Sequence, residues 1–204
     1  MSSLAIMSSY LKDTKMKIVV SLLYEDEEVL CERIKKIKKD IKPLIPNGNI
    51  KSKFFDEFDL NCLDSKKFPQ VSFRILELLN NTKNNYYVLF SVFSNINDTE
   101  VIKNKYLSKG VSEIIRFIYS KEISSFPYNL IFPKNYNKKQ ISNSKLQISI
   151  EENIGISVLS SCKYEKIESN YALKLLNLYK YHIIHQLKID EYYAGKDMII
   201  LVES

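Results

Sequence analysis

Two histidines are the residues of this 204-residue chain with the clearest capacity for metal chemistry. His182 and His185 are three positions apart, a spacing that places both on one side of a helix, as two metal ligands would be. No Cys, Asp or Glu stands at a matching position within the same segment, and Asp190 and Glu191 come after it. We therefore predict no metal site. An enzymatic alternative would need a deep pocket that joins a titratable pair, such as His185 with Glu191.

Other catalytic chemistry has little support in the sequence. The acid pairs Asp56/Asp59 and Glu151/Glu152 fall in predicted loops or turns and have no neighbouring base. The chain has only four glycines and contains none of the patterns GxGxxG, GxxxxGK[ST] and GxSxG. These observations favour a non-enzymatic protein that uses no cofactor and has no small-molecule substrate.

The three cysteines, Cys31, Cys62 and Cys162, are far apart and form no CxxC pair. Such a sparse, odd number is typical of a reducing compartment with buried thiols. The segment 1–17 has a short apolar patch without a basic region before it, which does not fit a signal peptide. No apolar run approaches the length of about 20 residues that spans a bilayer. We expect a cytoplasmic or nuclear protein, with the cytoplasm preferred, and no membrane partner.

Lysine-rich segments are the better indication of function. The net charge is +6 and the isoelectric point is about 9.0, a basic balance that favours contact with nucleic acid or another acidic surface. The segments 133–139 and 162–169 place Lys beside Tyr, so phosphate attraction and base stacking can occur together. A solvated surface is the alternative interpretation of these lysines.

The first of the elements that must position these residues is a helix over 26–42. Its apolar residues recur at alternating four- and three-residue spacing: Leu30, Ile34, Ile37, Ile41 and Leu44. Asp26 to Glu28 lie in the first turn, which suits the helix dipole. Four lysines lie off this apolar stripe: Lys35, Lys36, Lys38 and Lys39. They either form a solvated face or contact phosphates.

The middle and the end of the chain predict two hairpins. The first joins 71–79 to 86–93 through an Asn-rich loop, and the second joins 146–150 to 156–158 through the turn "EENIG". A helix begins at Asn97 or Asp98 and stops at Gly110, and a strand follows over 112–120. A second amphipathic helix begins at Ser169 or Asn170, and the strand from Met198 to Val202 closes the chain.

The order of these elements predicts an α+β fold in which antiparallel β-hairpins are packed by amphipathic helices. Residues 1–25 are expected to be an N-terminal tail. Residues 26–204 are expected to form a single domain in two halves, 26–125 and 126–204.

The chain from Phe58 onwards resembles, element by element, the eukaryotic small-subunit ribosomal protein seven family. The quoted matches are "VSFRILELLNNTKNNYYVLFSVF" as a hairpin, "NLIFP" for an acidic-Leu-Val-Phe-Pro stretch, "KKQISNSKLQISIEENIGISVLSS" as a basic hairpin, and "AGKDMII" as a closing turn and strand. The family carries a long Arg-rich loop before its Phe-Pro stretch, whereas this chain has only "KEISSFPY" there. The resemblance covers about 70% of the chain.

The resemblance implies a structural component of the small (40S) ribosomal subunit, a ribonucleoprotein of translation. Its partners would be ribosomal RNA and other small-subunit ribosomal proteins. The residues expected to face rRNA are Lys134, Lys138, Lys139, Lys163 and Lys166, together with Lys35, Lys36, Lys38 and Lys39. The alternative is a non-enzymatic interaction module, viral or regulatory, that docks a host or partner protein.

Overall fold

The computed structural model describes residues 1–45, 49–63, 69–80, 86–99, 105–134, 143–189 and 198–203. Within them, six strands form one sheet: β1 (Ser2–Leu11), β2 (Met16–Tyr24), β3 (Tyr86–Phe93), β4 (Tyr128–Pro133), β5 (Leu159–Glu165) and β6 (Met198–Glu203). The sheet order is β5-β4-β1-β2-β3-β6. β1 pairs in parallel with β4, and β4 with β5, while the remaining pairs are antiparallel. The sheet is therefore mixed.

Helices cover both faces of this sheet. The α-helices described are α1 (Glu27–Ile41), α2 (Asn49–Glu57), α3 (Pro69–Asn80), α4 (Lys105–Ser120), α5 (Asn143–Ile154) and α6 (Tyr171–Ile189). One core lies between the sheet and α1, α2, α3 and α6, and a second core lies between the sheet and α4 and α5. Short 3₁₀ helices span Lys42–Leu44, Leu60–Cys62 and Ile167–Ser169. The α+β class is confirmed, in three layers.

Residues 1–25, expected to be a tail, contain two of the central strands of the sheet. Successive side chains of β1 point to opposite faces, so Ile6 enters one core and Met7 the other. All nine residues of β2 are buried. A central strand covered on both faces reads as a continuous apolar run, without the alternation that marks a one-sided strand.

The first predicted hairpin is wrong in its first half, because residues 69–80 form the helix α3. Val71, Ile75, Leu78 and Leu79 are buried and recur at helical spacing, while Phe73 is 63% exposed. Pro69 occupies the first helical position, where its missing N–H costs nothing. The second half of the prediction is confirmed as β3.

The strand predicted over 112–120 is also wrong. Helix α4 continues through Gly110 to Ser120, and its buried residues are spaced by three and four: Leu107, Val111, Ile114, Ile115 and Ile118. Gly110 is therefore no helix stop. Its α-carbon faces the sheet so closely that a Cβ would lie 2.6 Å from Val19 Cγ2.

The second predicted hairpin is replaced by a helix, a loop and the strand β5. Residues 143–154 form α5, in which Leu146 and Ile150 are buried but Ile148 is 54% exposed. The alternation of apolar and polar residues over 146–150 therefore does not correspond to a β-strand. Gly155 ends the helix with φ +90°, and its N–H donates to the carbonyl of Glu151 at 2.8 Å.

Three other predicted elements are confirmed. Asp26 caps α1, because its side chain accepts a hydrogen bond from the N–H of Glu28 at 2.9 Å. Asn170 caps α6 in the same way, accepting from the N–H of Leu173 at 3.0 Å. The closing strand is β6.

Candidate functional site

The four lysines predicted on the first helix all lie on the outer side of α1. Lys35, Lys36, Lys38 and Lys39 are exposed, and Lys42 extends the group into the following 3₁₀ turn. The stripe on the opposite side of α1 packs into the core. The amphipathic pattern of the sequence thus placed these lysines correctly.

The acid within this lysine group, Asp40, is held by another helix. Arg74 of α3 donates to Asp40 at 3.4 Å and to Glu77 at 3.2 Å. The lysines of α1 take part in no ion pair within the described part of the chain. Lys38 instead lies 5.6 Å from the ring centroid of Phe55. The surface therefore retains a local positive charge, which we call the α1 lysine surface (Lys35, Lys36, Lys38, Lys39 and Lys42).

A second group of predicted lysines meets at the end of the parallel strands. Pro133 of β4 pairs with Glu165 of β5, so Lys134 and Lys166 follow adjacent strand ends. Lys163 lies on β5 and, like the other two, is exposed. Register thus brings three predicted residues to one corner of the sheet. Lys138 and Lys139 lie outside the described residues.

A polar cleft that the sequence did not predict runs along α6. Its volume is about 200 Å³, and its polar lining comes from Ser9 of β1, from Asp59 and Asn61 beside α2, and from Asn177, Lys180 and His185 of α6. Asn177 donates to the carbonyl of Glu57 at 3.1 Å, and Asp59 accepts from the N–H of Asn61 at 2.9 Å. These bonds fix two walls of the cleft.

Lys180 is the cation of the polar cleft. Burial lowers the pKa of its amine, and the charge of Asp59 partly opposes this effect. No salt bridge or hydrogen bond to Lys180 occurs among the described residues. In the sequence, Lys180 stands next to Tyr179 on the predicted inner side of the helix, and this position could have identified Lys180 as a partly buried cation.

An apolar groove adjoins the polar cleft and shares two of its residues, Tyr181 and His185. Its volume is about 320 Å³, and Phe73 and Leu76 of α3 face Leu178 of α6 across it. Burial, followed by the charge of His185, lowers the pKa of His182, which also lines the groove. Within the described ranges, no three His, Cys, Asp or Glu side chains are grouped as a metal site.

A buried polar cluster joins α1, the sheet and α6. The hydroxyls of Tyr86 and Tyr179 are 2.8 Å apart. Arg33 is 6% exposed, and its Nε and Nη2 atoms have no hydrogen-bond partner among the described residues. Sequence reasoning missed Arg33, although it lies three residues after Leu30 and four before Ile37, on the buried stripe.

The cysteines are thiols without disulfide bonds, and all three are partly buried. Burial raises the pKa of Cys162 to about 11 and also raises the pKa of Cys62. A raised pKa reduces the thiolate fraction, so these two residues are poor nucleophiles at neutral pH.

None of the helices within the described residues is long and apolar enough to cross a bilayer. No known protein-family model matches this chain, and no curated protein matches it either.

Proposed function

We propose that this protein is a non-enzymatic RNA-binding component of a ribonucleoprotein. The observation that carries the proposal is the α1 lysine surface, where five exposed lysines lie within eight positions and Asp40 is engaged by Arg74. Clustered lysines gain affinity for a polyphosphate chain by releasing its counterions. The lysines at the ends of β4 and β5 supply a second contact.

The narrower form of the proposal places the protein in the small ribosomal subunit, bound to ribosomal RNA and to neighbouring ribosomal proteins. Its support is the sequence resemblance, in which "NLIFP" falls on β4 and the last helix and strand keep their order as α6 and β6. The segments matched to two hairpin strands, 71–79 and 146–150, are helices. RNA binding therefore rests on the lysines, and the ribosomal assignment rests on the resemblance.

RNA binding is tested by charge reversal on α1. The variant Lys35→Glu/Lys38→Glu/Lys39→Glu should bind single-stranded RNA at least about tenfold more weakly, with a salt slope reduced by roughly 2, because each lost contact removes about 0.7 from the slope. Fluorescence anisotropy over a salt series measures both quantities.

The matched control is Lys105→Glu/Lys109→Glu/Lys121→Glu. Lys105 and Lys109 lie on α4, Lys121 directly follows it, and all three are exposed. Helix α4 packs on the opposite face of the sheet, and the change in net charge is the same. Equal losses of affinity in both triple variants would mean that only the net charge matters, which contradicts a specific α1 surface.

The ribosomal assignment is tested separately on a sucrose gradient. The protein should sediment with the small subunit, shift with salt, and be released by Lys134→Glu/Lys163→Glu/Lys166→Glu. Unchanged co-sedimentation of this variant would count against the proposed contact, and absence of the wild-type protein from the subunit would refute the assignment.

Docking of a partner protein is a second candidate, favoured by an exposed aromatic pair. Tyr119 and Phe126 are 60% and 41% exposed, and their ring centroids are 5.7 Å apart. Exposed aromatic side chains are the common anchors of protein interfaces. Assembly in a lysate that survives ribonuclease but is lost in Tyr119→Ala/Phe126→Ala would favour this candidate over RNA binding.

A further inference from the structure

The polar cleft and the apolar groove form one continuous feature along α6. Both are lined by Tyr181 and His185, and Leu60 of the groove precedes Asn61 of the cleft. One end therefore offers hydrogen-bond donors, the cation Lys180 and the carboxylate of Asp59, while the other offers aliphatic and aromatic carbon. A ligand that spans both must be amphipathic.

We propose that this feature binds a small organic anion, with its phosphate or carboxylate against Lys180 and its apolar body in the groove beside Phe73. The inference is independent of RNA binding, because neither the α1 lysine surface nor the group of Lys134, Lys163 and Lys166 lines the feature.

Lys180 is the group in the cleft that favours an anion, and the carboxylate of Asp59 lines the same cleft. Lys180 has no ion-pair partner in the described part of the chain, and the Asn177 amide and Ser9 hydroxyl add neutral polar groups around it. An amine held away from water gains more from an incoming anion than a solvated surface lysine does, because its charge is less screened. Asp59 is oriented by the N–H of Asn61 and is suited to accept a hydroxyl or N–H of the same ligand.

The size and lining of the groove define the rest of the ligand. Volumes of about 200 Å³ and 320 Å³ suit an anionic head and a body of one ring or a short chain, and together they fall within the range of sizes usual for ligand pockets. Phe73 is 63% exposed on α3, although the groove beside it is apolar. A planar or aliphatic group seated there would cover part of its ring.

The test uses three probes, phenyl phosphate, inorganic phosphate and phenol, titrated by calorimetry or by NMR of the 204-residue chain. Phenyl phosphate should bind at least about tenfold more tightly than either part, since the two contacts are made by one molecule. Lys180→Met should weaken phenyl phosphate at least about tenfold, and Lys180→Arg should retain most of the affinity because the charge remains. Phe73→Ala should remove the advantage over phosphate and leave phosphate binding unchanged.

Lys174→Met is the matched control, because it removes the same charge from the same helix outside the lining of the cleft. Circular dichroism establishes whether each variant is folded. If Lys180→Met does not fold, the comparison of Lys180→Arg with the wild type still tests the role of the charge. The inference is overturned if phenyl phosphate shows no saturable binding at millimolar concentration, or if Lys174→Met and Lys180→Met weaken it equally.

Discussion

At the scale of the residue, lysines in this protein occupy three different environments. Those of the α1 lysine surface are solvated, Lys180 is partly buried in a cleft, and Lys17 of β2 is 7% exposed. Lys17 donates to the Ser8 hydroxyl at 3.3 Å, and burial lowers the pKa of Lys17 to about 8. The same residue type is therefore solvated in one place and a cost to folding in another.

Lys17 predicts a specific dependence of stability on pH. The folded pKa of about 8 lies below the ordinary value of 10.5, so the unfolded chain binds more protons between these values and stability rises with pH there. Below pH 8 the protein carries the full cost of the buried charge. Lys17→Met should therefore be the more stable variant at pH 7, and its advantage should shrink by up to about 1.4 kcal/mol per pH unit above pH 8.

Urea unfolding of both proteins between pH 7 and 9.5 measures this difference. Subtracting the two curves removes the contributions of tyrosines and cysteines, which titrate in both chains. A difference that stays constant with pH would contradict a lowered pKa at Lys17.

At the scale of the element, the contact between α4 and the sheet depends on Gly110. A Cβ built there would lie 2.6 Å from Val19 Cγ2 and 3.2 Å from Phe93 Cε2. In an open helix Ala would be favoured over Gly by about 1 kcal/mol. Here overpacking opposes that gain, because the helix must move away from a strand that is buried on both faces.

Gly110→Ala should therefore destabilise the protein by about 1–3 kcal/mol, measured as a lower urea midpoint. The double variant Gly110→Ala/Val19→Ala should lose less stability than the sum of the two single losses, because Val19→Ala removes the Cγ2 methyl that a Cβ at position 110 would meet. Ser120→Ala, at the exposed end of the same helix, should remain within about 0.5 kcal/mol of the wild type. Stabilisation by Gly110→Ala would show that the helix does not lie this close to the sheet.

Secondary structure was predicted correctly for helices with one apolar and one solvent-exposed face. It was predicted wrongly for helices whose residue types or alternation are also typical of strands. Helix α1 followed from the spacing of its apolar residues, and the start of α6 followed from its cap. The segment of α3 and the second half of α4 were assigned to strands because Val, Ile and Phe favour strands locally. The segment of α5 was assigned to a strand because Leu146, Ile148 and Ile150 alternate with polar residues. The buried positions of these three helices, at spacings of three and four, were already in the sequence, and tertiary packing decided in favour of that period.

At the scale of the whole molecule, β1 connects the two parts of the sheet. It pairs with β4 on the parallel side and with β2 on the antiparallel side. Its residues enter both cores, as Leu4 and Ala5 illustrate. Removal of β1 would separate β4 and β5 from the other strands and open both cores.

Deletion of residues 1–11 should abolish cooperative unfolding, because the burial lost exceeds the net stability of about 5–15 kcal/mol that is usual for a domain. Far-UV circular dichroism and a thermal melt would measure this. Lys12→Ala, in the exposed turn after β1, should melt like the wild type. A sharp thermal transition in the deletion variant would contradict the central position of β1 and would agree with the expected N-terminal tail.

The amino-acid sequence by itself determined the α+β class, the helices α1 and α6, the strand β3 and the exposure of the α1 lysines. These features depend on local periodicity and on side chains within one turn of each other. Only the tertiary structure decided that the first strands are central, that Gly110 lies inside a helix, and that Lys180, Asp59 and Ser9 share a cleft. These features depend on contacts between distant parts of the chain, and no local sequence pattern specifies which strand lies beside which.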